Sequence, residues 1–441
     1  MGLYKDDDVP LPVHSSAYPP SPPPARWAGG SGSGTKPLWP YLKYGALALL
    51  CFVGGLQMGK DRTFTTPVSV FPTVALDLDF LRLSPYAPLP SGYANLRTLT
   101  HDQCDAAFPL LWPEVNRTVE MFENRPRRKG ITLADIEEVN EFDGSRVAVV
   151  DGQMYVKRWN PESKRRSEAI LASLQTAIKT SPEPFPDVEF VFRCTDNLGT
   201  GARFGLTKQR GEEMWLLPDF GFESWPEPRV LGWQDARRKA MEIDSTLTWR
   251  DKETKLFWRG AYLGAPLREQ LGELAAKQSW GDVGTIDWGA GAVERINMED
   301  HCRKKFLADV DSHSYSGRLK YILLCRSVVV SHNKRWIQHF HGALDGKKGS
   351  PTQNWVELEE ENWKGLEGEM ERLIADEADS ERIAQNGIES LRDRYLTPAS
   401  IACYWRRILK EYAALQRFTP TRGGIDFESF NLMREIDFAP H

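Results

Sequence analysis

Residues 301–331, HCRKKFLADVDSHSYSGRLKYILLCRSVVVS, decide the fold, because they combine two strand patterns with a helix between them. Residues 303–310 predict a strand, and the polar loop after it is rich in residues that cap helices. Residues 318–325 have apolar side chains at helical spacing. Residues 328–330 are a valine run, typical of a strand buried in a parallel sheet. Arg318 and Lys320 are therefore predicted in the first turn of a helix, where backbone N–H groups attract phosphate.

A second stretch repeats this order. Residues 256–261, LFWRGA, predict a strand that ends near a glycine, and residues 267–278, LREQLGELAAKQ, predict an amphipathic helix with Arg268 in its first turn. Open α/β sheets bind nucleotides along the carboxyl edge of their strands, so the repeated arrangement favours a phosphate site. The alternative is that Arg259, Arg268 and Arg318 are solvated surface charges.

Both stretches resemble glycosyltransferase family 90, which includes fungal capsule-associated proteins and animal protein O-glucosyltransferases of the Rumi type. The similarity runs over residues 187–412 and is closest to the fungal branch. The matching pieces are FWRGAYLGAPLREQL (257–271), SGRLKYILLCRSVVVSH (316–332), LLPDFGFESW (216–225), QNWVEL (353–358) and RYLTPASIACYW (394–405). Their order and spacing carry the resemblance, since no single piece is diagnostic.

The resemblance implies roles for individual residues. Arg268 and Arg318 match the arginines that contact the diphosphate of the donor, and Asp196, in CTDN (194–197), matches the proposed catalytic aspartate. Ala261 replaces a serine that animal members place at the donor phosphate, so that contact is lost or moves to a backbone N–H. The family also implies inversion at the anomeric carbon and no metal ion. The UDP-sugar is then a donor substrate, and no cofactor is expected.

The residues themselves support this chemistry. Transfer from a sugar nucleotide needs a stabilised pyrophosphate leaving group and a base for the acceptor hydroxyl. Guanidinium groups match phosphate oxygens without a metal. Asp196 follows a predicted strand at 188–192, where a carboxylate faces the cleft; the alternative is an Asx-turn or capping residue. The predicted donor-binding residues are Arg259, Gly260, Ala261, Arg268, Ser316, Arg318 and Lys320.

The block at 216–225 supplies candidates for an acceptor groove. Phe222 and Trp225 are interpreted as groove or packing residues. Asp219 is a second acidic candidate, with a turn residue as the alternative. These three residues complete the predicted acceptor side.

No metal site is predicted. Asp309 and Asp311 have the spacing of a metal-binding DxD motif, but they precede an arginine-bearing helix, where a metal is not needed. We interpret them as loop residues near the nucleotide. His339 and His341 form an HxH pair that we interpret as solvated helix residues, because no Cys/His cluster has zinc spacing.

The first part of the 441-residue chain differs in composition from the rest. Residues 1–38 are rich in Pro, Ser and Gly and predict a disordered cytosolic tail. Residues 39–59 contain the uncharged run YGALALLCFVGGLQM and predict a transmembrane signal anchor, with a buried helix or a cleaved signal peptide as alternatives. Residues 60–130 predict a stem and a helical N-terminal region.

The remaining segments predict the domain organisation. A hairpin pattern at 147–157, a helix at 163–178 and the strand at 188–192 predict an acceptor-side α/β domain over residues 131–245. The donor nucleotide-binding α/β domain is predicted over 246–375, followed by C-terminal helices over 376–441. The predicted fold class is α/β, with two Rossmann-like domains in a glycosyltransferase B architecture, preceded by the tail and one transmembrane helix.

Charge, cysteines and one sequon bear on partners and location. The net charge is −5 with no basic stripe, which argues against a nucleic-acid partner. Cys51 lies in the predicted anchor, and the other five cysteines leave at least one thiol without an intramolecular partner. Asn116 begins the single sequon, Asn-Arg-Thr, which is usable only in a lumenal domain. These features favour a type II protein of the Golgi membrane, or of the endoplasmic reticulum, with its catalytic part lumenal.

The sequence therefore predicts a metal-independent, inverting glycosyltransferase. It would move a sugar from a UDP-sugar to a hydroxyl of a glycan or glycoprotein, including capsule or cell-wall polysaccharide. Xylose and glucose are the favoured candidates for the transferred sugar. The alternative is a non-catalytic lumenal protein of the same fold that binds glycans or holds other transferases together. A kinase or dehydrogenase is disfavoured, because neither GxGxxG nor GxxxxGK[ST] is present.

Overall fold

The computed structural model describes residues 84–436, with gaps at 91, 127–128, 138–143, 161–163, 196–199, 226–229, 231 and 287–295. Most strands of this part of the chain lie in two sheets. In chain order, the strands are β1 Ser145–Val150, β2 Gln153–Arg158, β3 Val188–Phe192, β4 Arg203–Gly205, β5 Lys208–Gln209, β6 Trp215–Leu216, β7 Glu253–Gly260, β8 Gly281–Thr285, β9 Lys304–Asp309, β10 Val328–Ser331, β11 Trp336–Ile337, β12 Val356–Glu357 and β13 Ile425–Asp426.

The helices surround these sheets. They are α1 His101–Ala107, α2 Trp112–Glu123, α3 Leu133–Glu137, α4 Lys164–Lys179, α5 Trp233–Thr246, α6 Pro266–Ala275, α7 Leu319–Ile322, α8 Leu366–Ala375, α9 Glu377–Gly387, α10 Pro398–Leu415 and α11 Phe427–Ile436. A π-helical segment, Ile388–Tyr395, joins α9 to α10. Single 3-10 turns are Tyr93–Asn95, Pro109–Leu111, Phe220–Phe222, Glu299–Arg303 and His341–Ala343.

The first sheet is mixed, with the order β13-β2-β1-β3-β4-β6. β2 pairs antiparallel with β1 and β13, and β1 pairs antiparallel with β3, whereas β3, β4 and β6 run parallel. The predicted hairpin turns at Asp151 (φ 52°) and Gly152 (φ 72°), the left-handed pair that suits a two-residue hairpin. The prediction of a Rossmann-like first domain is wrong, because three of the five strand pairs in this sheet are antiparallel, whereas a Rossmann-like sheet is mostly parallel.

Helix α10 packs against this sheet through aromatic rings. Tyr412 lies 4.9 Å from Phe204 and 5.3 Å from Trp215, centre to centre. The helix begins as predicted, with Thr397 as its side-chain cap and Pro398 in its first turn. The C-terminal segment is thus part of the core that supports the first sheet.

The second sheet is entirely parallel, with the order β12-β10-β9-β7-β8. Val328, Val329 and Val330 are buried, as predicted for a central strand covered on both faces. α6 follows β7 and α7 follows β9, so both predicted strand–loop–helix units are present. α7 is a single turn, shorter than the predicted 318–325. Both loops leave the same carboxyl edge of the sheet.

The predicted transmembrane helix requires a correction. No helix of the described residues is both long and apolar enough to cross a bilayer. The described fold is therefore a mixed α/β fold without a membrane-spanning helix. The predicted tail (1–38) and anchor (39–59), and residues 60–83 of the predicted stem, lie outside the described residues.

Two disulfides tie distant segments together. Cys104 of α1 is bonded to Cys403 of α10, and Cys302 is bonded to Cys325 at the end of the α7 segment. Cys194 is buried with a free thiol. The odd number of cysteines outside the predicted anchor predicted at least one such thiol.

We expect the Cys104–Cys403 bond to stabilise the fold more than the Cys302–Cys325 bond. It closes 299 residues rather than 23, and in the chain-entropy account the longer loop adds about 2 kcal/mol. Melting temperatures of the two double Cys→Ser variants check this. Cys194→Ala, which keeps both bonds, is the control. An equal or larger loss in the Cys302/Cys325 variant would contradict the expectation.

Candidate functional site

A cavity of about 480 Å³ opens at the carboxyl edge of the second sheet. Six of the seven predicted donor-binding residues line it, which places the two strand–loop–helix units around one space. Its lining consists of Trp225, Val230, Lys239, Arg259, Gly260, Ala261, Leu263, Arg268, Ile286, Ile296, Asn297, Met298, Glu299, His301, Ser316, Gly317 and Arg318. One part of this wall is cationic and another part is aliphatic.

Two arginines share one indole at this cavity. The Arg318 guanidinium lies 5.1 Å from the Trp258 ring centre, and that of Arg268 lies 5.7 Å from it. Arg268 Nη1 also donates to the Ala261 carbonyl at 2.8 Å. No described residue accepts a hydrogen bond from the Arg318 side chain. Two neighbouring cations with this arrangement favour an anionic ligand with several oxygens.

Burial and charge act on Arg318 in the same direction. Burial lowers the pKa of Arg318 to about 10, and repulsion from Arg268 adds to the effect, while Asp309 opposes it. Arg318 is still cationic at neutral pH. Because a half-buried cation without a carboxylate partner among the described residues is costly, this residue is better explained by a ligand than by stability.

Gly260 permits this arrangement. A Cβ on residue 260 would lie 2.7 Å from Arg318 Nη2 and 2.7 Å from the Trp258 ring. A side chain at this position would therefore displace the Arg318 guanidinium or the Trp258 ring. The glycine in FWRG is therefore explained by close approach.

Arg259 lines the cavity but has protein partners. It forms an ion pair with the Asp282 carboxylate and donates to the carbonyls of Asp282, at 2.6 Å, and Trp258, at 3.0 Å. Arg259 therefore ties β7 to β8. Ser316 is buried in the cavity wall beside Arg318.

Lys320 and Asp219 do not line the cavity and pair with each other. Lys320 Nζ is 2.7 Å from Asp219 Oδ1, and both side chains are 0% exposed. Asp219 also accepts from Gly221 N at 2.6 Å and from the Tyr315 hydroxyl. Lys320 was predicted for the donor and Asp219 for the acceptor, but the structure joins them in an internal ion pair.

The predicted acceptor aromatics differ in position. Trp225 lines the cavity and contacts Phe220, with ring centres 5.6 Å apart. Phe222 is buried, with its ring centre 4.7 Å from that of Trp233, and borders a separate small cavity of about 130 Å³. Trp225 alone of the predicted acceptor residues reaches the main cavity.

Asp196 lies outside the described residues. The chain just before it is connected to the cavity through side chains. Arg166 Nη1 donates to the Cys194 carbonyl at 3.4 Å, and the same guanidinium lies 4.9 Å from the Phe220 ring centre. Phe220 in turn contacts Trp225. Cys194, two residues before Asp196, is therefore linked to the cavity through Arg166, Phe220 and Trp225.

The DxD pair has an internal cation. Lys334 Nζ is 2.6 Å from Asp309 Oδ2 and is also bonded to Asp311 Oδ1. Burial raises the pKa of Asp311 to about 6, although Lys334 opposes the shift. Among the described residues, no group of three or more His, Cys, Asp or Glu side chains could hold a metal ion. The prediction treated these aspartates as loop residues and missed Lys334, which is distant in sequence.

His339 and His341 were predicted to be solvated, but they are buried, as are His301 and His332. Burial is the largest cause of a lowered pKa in four histidines. The pKa falls to about 3 in His301 and His339, to about 4 in His332, and well below the usual value in His341. Neighbouring cations add to each shift: Arg318, Lys320 and Lys334. His339 packs between Phe222, at 5.1 Å, and Tyr404, at 4.7 Å.

We expect stability to fall on mild acidification. A lowered folded-state pKa means that the unfolded chain takes up the protons first. The contribution of the neutral, buried histidines to the free energy of unfolding is complete above the unfolded-state pKa of about 6.5. It is lost as the pH falls from there towards 3–4. Each histidine then contributes a loss of about 1.4 kcal/mol per pH unit, and the raised pKa of Asp311 offsets about one of them.

Urea unfolding at pH 7.5 and pH 5.5 measures this loss. His339→Phe, which keeps an aromatic ring of similar size, is expected to reduce the pH dependence by about the share of one histidine. A free energy of unfolding that is the same at both pH values would contradict the expectation.

Asn116 is exposed on α2, as a glycan acceptor must be. Thr118 of the same sequon is buried, where it donates to the Glu114 carbonyl at 2.9 Å and accepts from Lys208 at 3.0 Å. The threonine thus has a structural role in the folded helix. Use of Asn116 stays a prediction.

Several cavity residues were not predicted. Lys239, Glu299 and His301 line the cavity, and Trp258 contacts its two arginines; these residues come from a helix, a 3-10 turn and a strand that meet only in the folded chain. No local sequence pattern marks these four residues as part of the site.

A parallel sheet with two arginines at one carboxyl-edge cavity is an arrangement suited to phosphorylated ligands, and comparison with known proteins gives the class of this protein. The family described as Glycosyl transferase family 90 matches residues 112–425. The chain belongs to glycosyltransferase family 90, as the resemblance of its sequence motifs predicted.

Curated relatives agree with this assignment. The O-glucosyltransferase rumi homolog of Aedes aegypti is 24% identical over 328 residues, which cover 68% of this chain and 77% of the relative. O-glucosyltransferase rumi of Drosophila melanogaster is 25% identical, over 66% of this chain and 74% of its own. Human protein O-glucosyltransferase 1 is 23% identical, over 47% of this chain and 54% of its own. The chain is therefore a glycosyltransferase in class.

Proposed function

We propose that this protein transfers a sugar from a UDP-sugar to a hydroxyl group of a glycan or protein. The observation that carries the proposal is the pair of arginines, Arg268 and Arg318, which share the Trp258 ring at the donor cavity. Two guanidinium groups stabilise the charge that develops on a departing diphosphate. Glucose and xylose are the proposed sugars, and the names of the relatives support glucose.

The proposed reaction is a single displacement with inversion. The acceptor oxygen forms a bond to the anomeric carbon while the bond from that carbon to the diphosphate oxygen breaks. The electron pair of the broken bond stays on UDP, beside Arg268 and Arg318. Asp196 takes the proton of the acceptor hydroxyl. The arginines supply the positive charge, so no metal or other cofactor is part of the proposal.

The compartment is proposed from the disulfides. Cys104–Cys403 and Cys302–Cys325 are bonds that form and persist in oxidising compartments. This supports the secretory pathway, and a Golgi location within it stays a prediction.

Calorimetric titration of UDP into the full-length chain, with and without EDTA, tests the proposal. We expect saturable binding that EDTA leaves unchanged and that Arg268→Ala weakens. A screen of UDP-sugars for hydrolysis or transfer then identifies the sugar. Absence of UDP binding to the folded protein would reject the proposal in favour of a non-catalytic member of the family or a different nucleotide.

A further inference from the structure

Glu299 is unusual in the donor cavity. Among the described residues that line it, Glu299 is the one carboxylate, whereas Lys239, Arg259, Arg268 and Arg318 are cations. Its side chain is 12% exposed, so it is largely withdrawn from water. A carboxylate repels a diphosphate, and its presence therefore needs a reason other than phosphate binding.

One oxygen of this carboxylate has a partner. Lys239 Nζ, from α5, lies 2.9 Å from Glu299 Oε1, and no described residue donates a hydrogen bond to Oε2. The ion pair offsets the negative charge of the carboxylate towards the phosphates. An ionised carboxylate only accepts hydrogen bonds, so the free oxygen matches a ligand group that donates one.

The backbone holds this oxygen in a fixed place. Glu299 begins the 3-10 turn Glu299–Arg303, which leads directly into β9. The Cys302–Cys325 disulfide ties the same turn to the end of the α7 segment, which carries Arg318. His301 Nδ1, hydrogen-bonded to the Asn297 carbonyl at 3.1 Å, fixes the turn further. A rigid acceptor beside the phosphate-binding cations is suited to reading the rest of a nucleotide sugar.

We infer that Glu299 accepts hydrogen bonds from hydroxyl groups of the bound donor and selects for them. This inference rests on the proposed function, because a UDP-sugar brings the hydroxyls. The ribose and the transferred sugar both present such groups, and a carboxylate binds either through the same chemistry. Selection arises because a ligand without the hydroxyl offers no hydrogen-bond donor to this oxygen.

The test uses the full-length chain and three ligands, UDP, 2′,3′-dideoxy-UDP and UDP-glucose, titrated calorimetrically. Glu299→Gln keeps the shape and removes the charge, so it is expected to weaken the hydroxyl contact about 10-fold. The matched control is Asp300→Asn, in the same turn. Asp300 pairs with Arg303 on the surface, at 3.1 Å, and does not line the cavity.

The pattern of losses identifies the hydroxyl. If Glu299→Gln weakens the binding of UDP but not of 2′,3′-dideoxy-UDP, Glu299 contacts the ribose. If the variant binds UDP-glucose more weakly but UDP as well as wild type, Glu299 contacts the transferred sugar. Equal losses for all three ligands, or none while the wild-type chain binds UDP, overturn the inference and leave the proposed function intact. If the wild-type chain does not bind UDP, the proposed function itself fails.

Discussion

Arg318→Ala is expected to reduce UDP-sugar turnover by about 10²–10³-fold while the protein stays folded. Losses of this size follow when one preorganised donor to a developing anion is removed. Arg318 is the strongest candidate for that donor, because no described residue accepts a hydrogen bond from its guanidinium. It also lies over Trp258 beside Arg268, at the edge where both loops meet.

The same substitution should leave stability unchanged or raise it. Burial and Arg268 both lower the pKa of Arg318, which means that the folded state holds this cation at a cost. Removing it releases the repulsion, and Gly260 on the opposite side gains space. A higher melting temperature combined with lost turnover is the signature of a residue kept for function.

Two further variants define the result. Arg318→Lys keeps a charge but loses the planar fork, so it should fall between wild type and Arg318→Ala. Arg238→Ala is the control, since Arg238 forms exposed ion pairs with Asp235 and Glu242 on α5. Turnover and UDP affinity that match wild type in a folded Arg318→Ala protein would remove Arg318 from the site.

The second sheet and the arginines were predictable because their determinants are local. A valine run at 328–330 and a strand–loop–helix order are written in consecutive residues, and the parallel strands then bring Arg268 and Arg318 to one edge. The mixed character of the first sheet was less accessible. Its hairpin was predicted, but the edge strand β13 pairs with β2 from more than 250 residues further along the chain, which no local pattern shows.

The partners of charged residues were not predictable from local sequence. Lys334 neutralises Asp309 and Asp311 from beyond the next strand. Lys320 and Asp219 are about one hundred residues apart and meet only when α7 packs on the 3-10 turn Phe220–Phe222. Sequence position at a helix start is the same for a phosphate-binding lysine and for one that faces inward. The side-chain direction depends on tertiary packing.

Breaking the Asp219–Lys320 pair is expected to cost about 3–5 kcal/mol of folding free energy, the usual result when a buried charge loses its partner. Lys320 lies among four aromatic rings, with its ammonium 4.9 Å from the Tyr321 ring centre, and burial lowers its pKa despite Asp219. Asp219→Ala leaves that ammonium with the Gly317 carbonyl, at 2.7 Å, as its remaining hydrogen-bond partner. The unfolding transition in urea should shift accordingly.

A double-mutant cycle separates the pair from its surroundings. Lys320→Met leaves Asp219 with two donors, Gly221 N and the Tyr315 hydroxyl, so it should destabilise less than Asp219→Ala. The double variant should lose about 1–3 kcal/mol less than the sum of the single losses, because neither charge is then left alone. Additive losses would show that the two side chains do not interact.

The cycle also decides between the sequence-based role of Lys320 and the one its contacts indicate. As an internal ion pair outside the cavity, Lys320 should affect UDP affinity little, so that folded Lys320→Met binds UDP within a few-fold of wild type. Lys320→Met should lower the free energy of unfolding, whereas Arg318→Ala should weaken UDP binding and reduce turnover. A folded Lys320→Met protein that no longer binds UDP would restore Lys320 to the donor site and contradict the structural role.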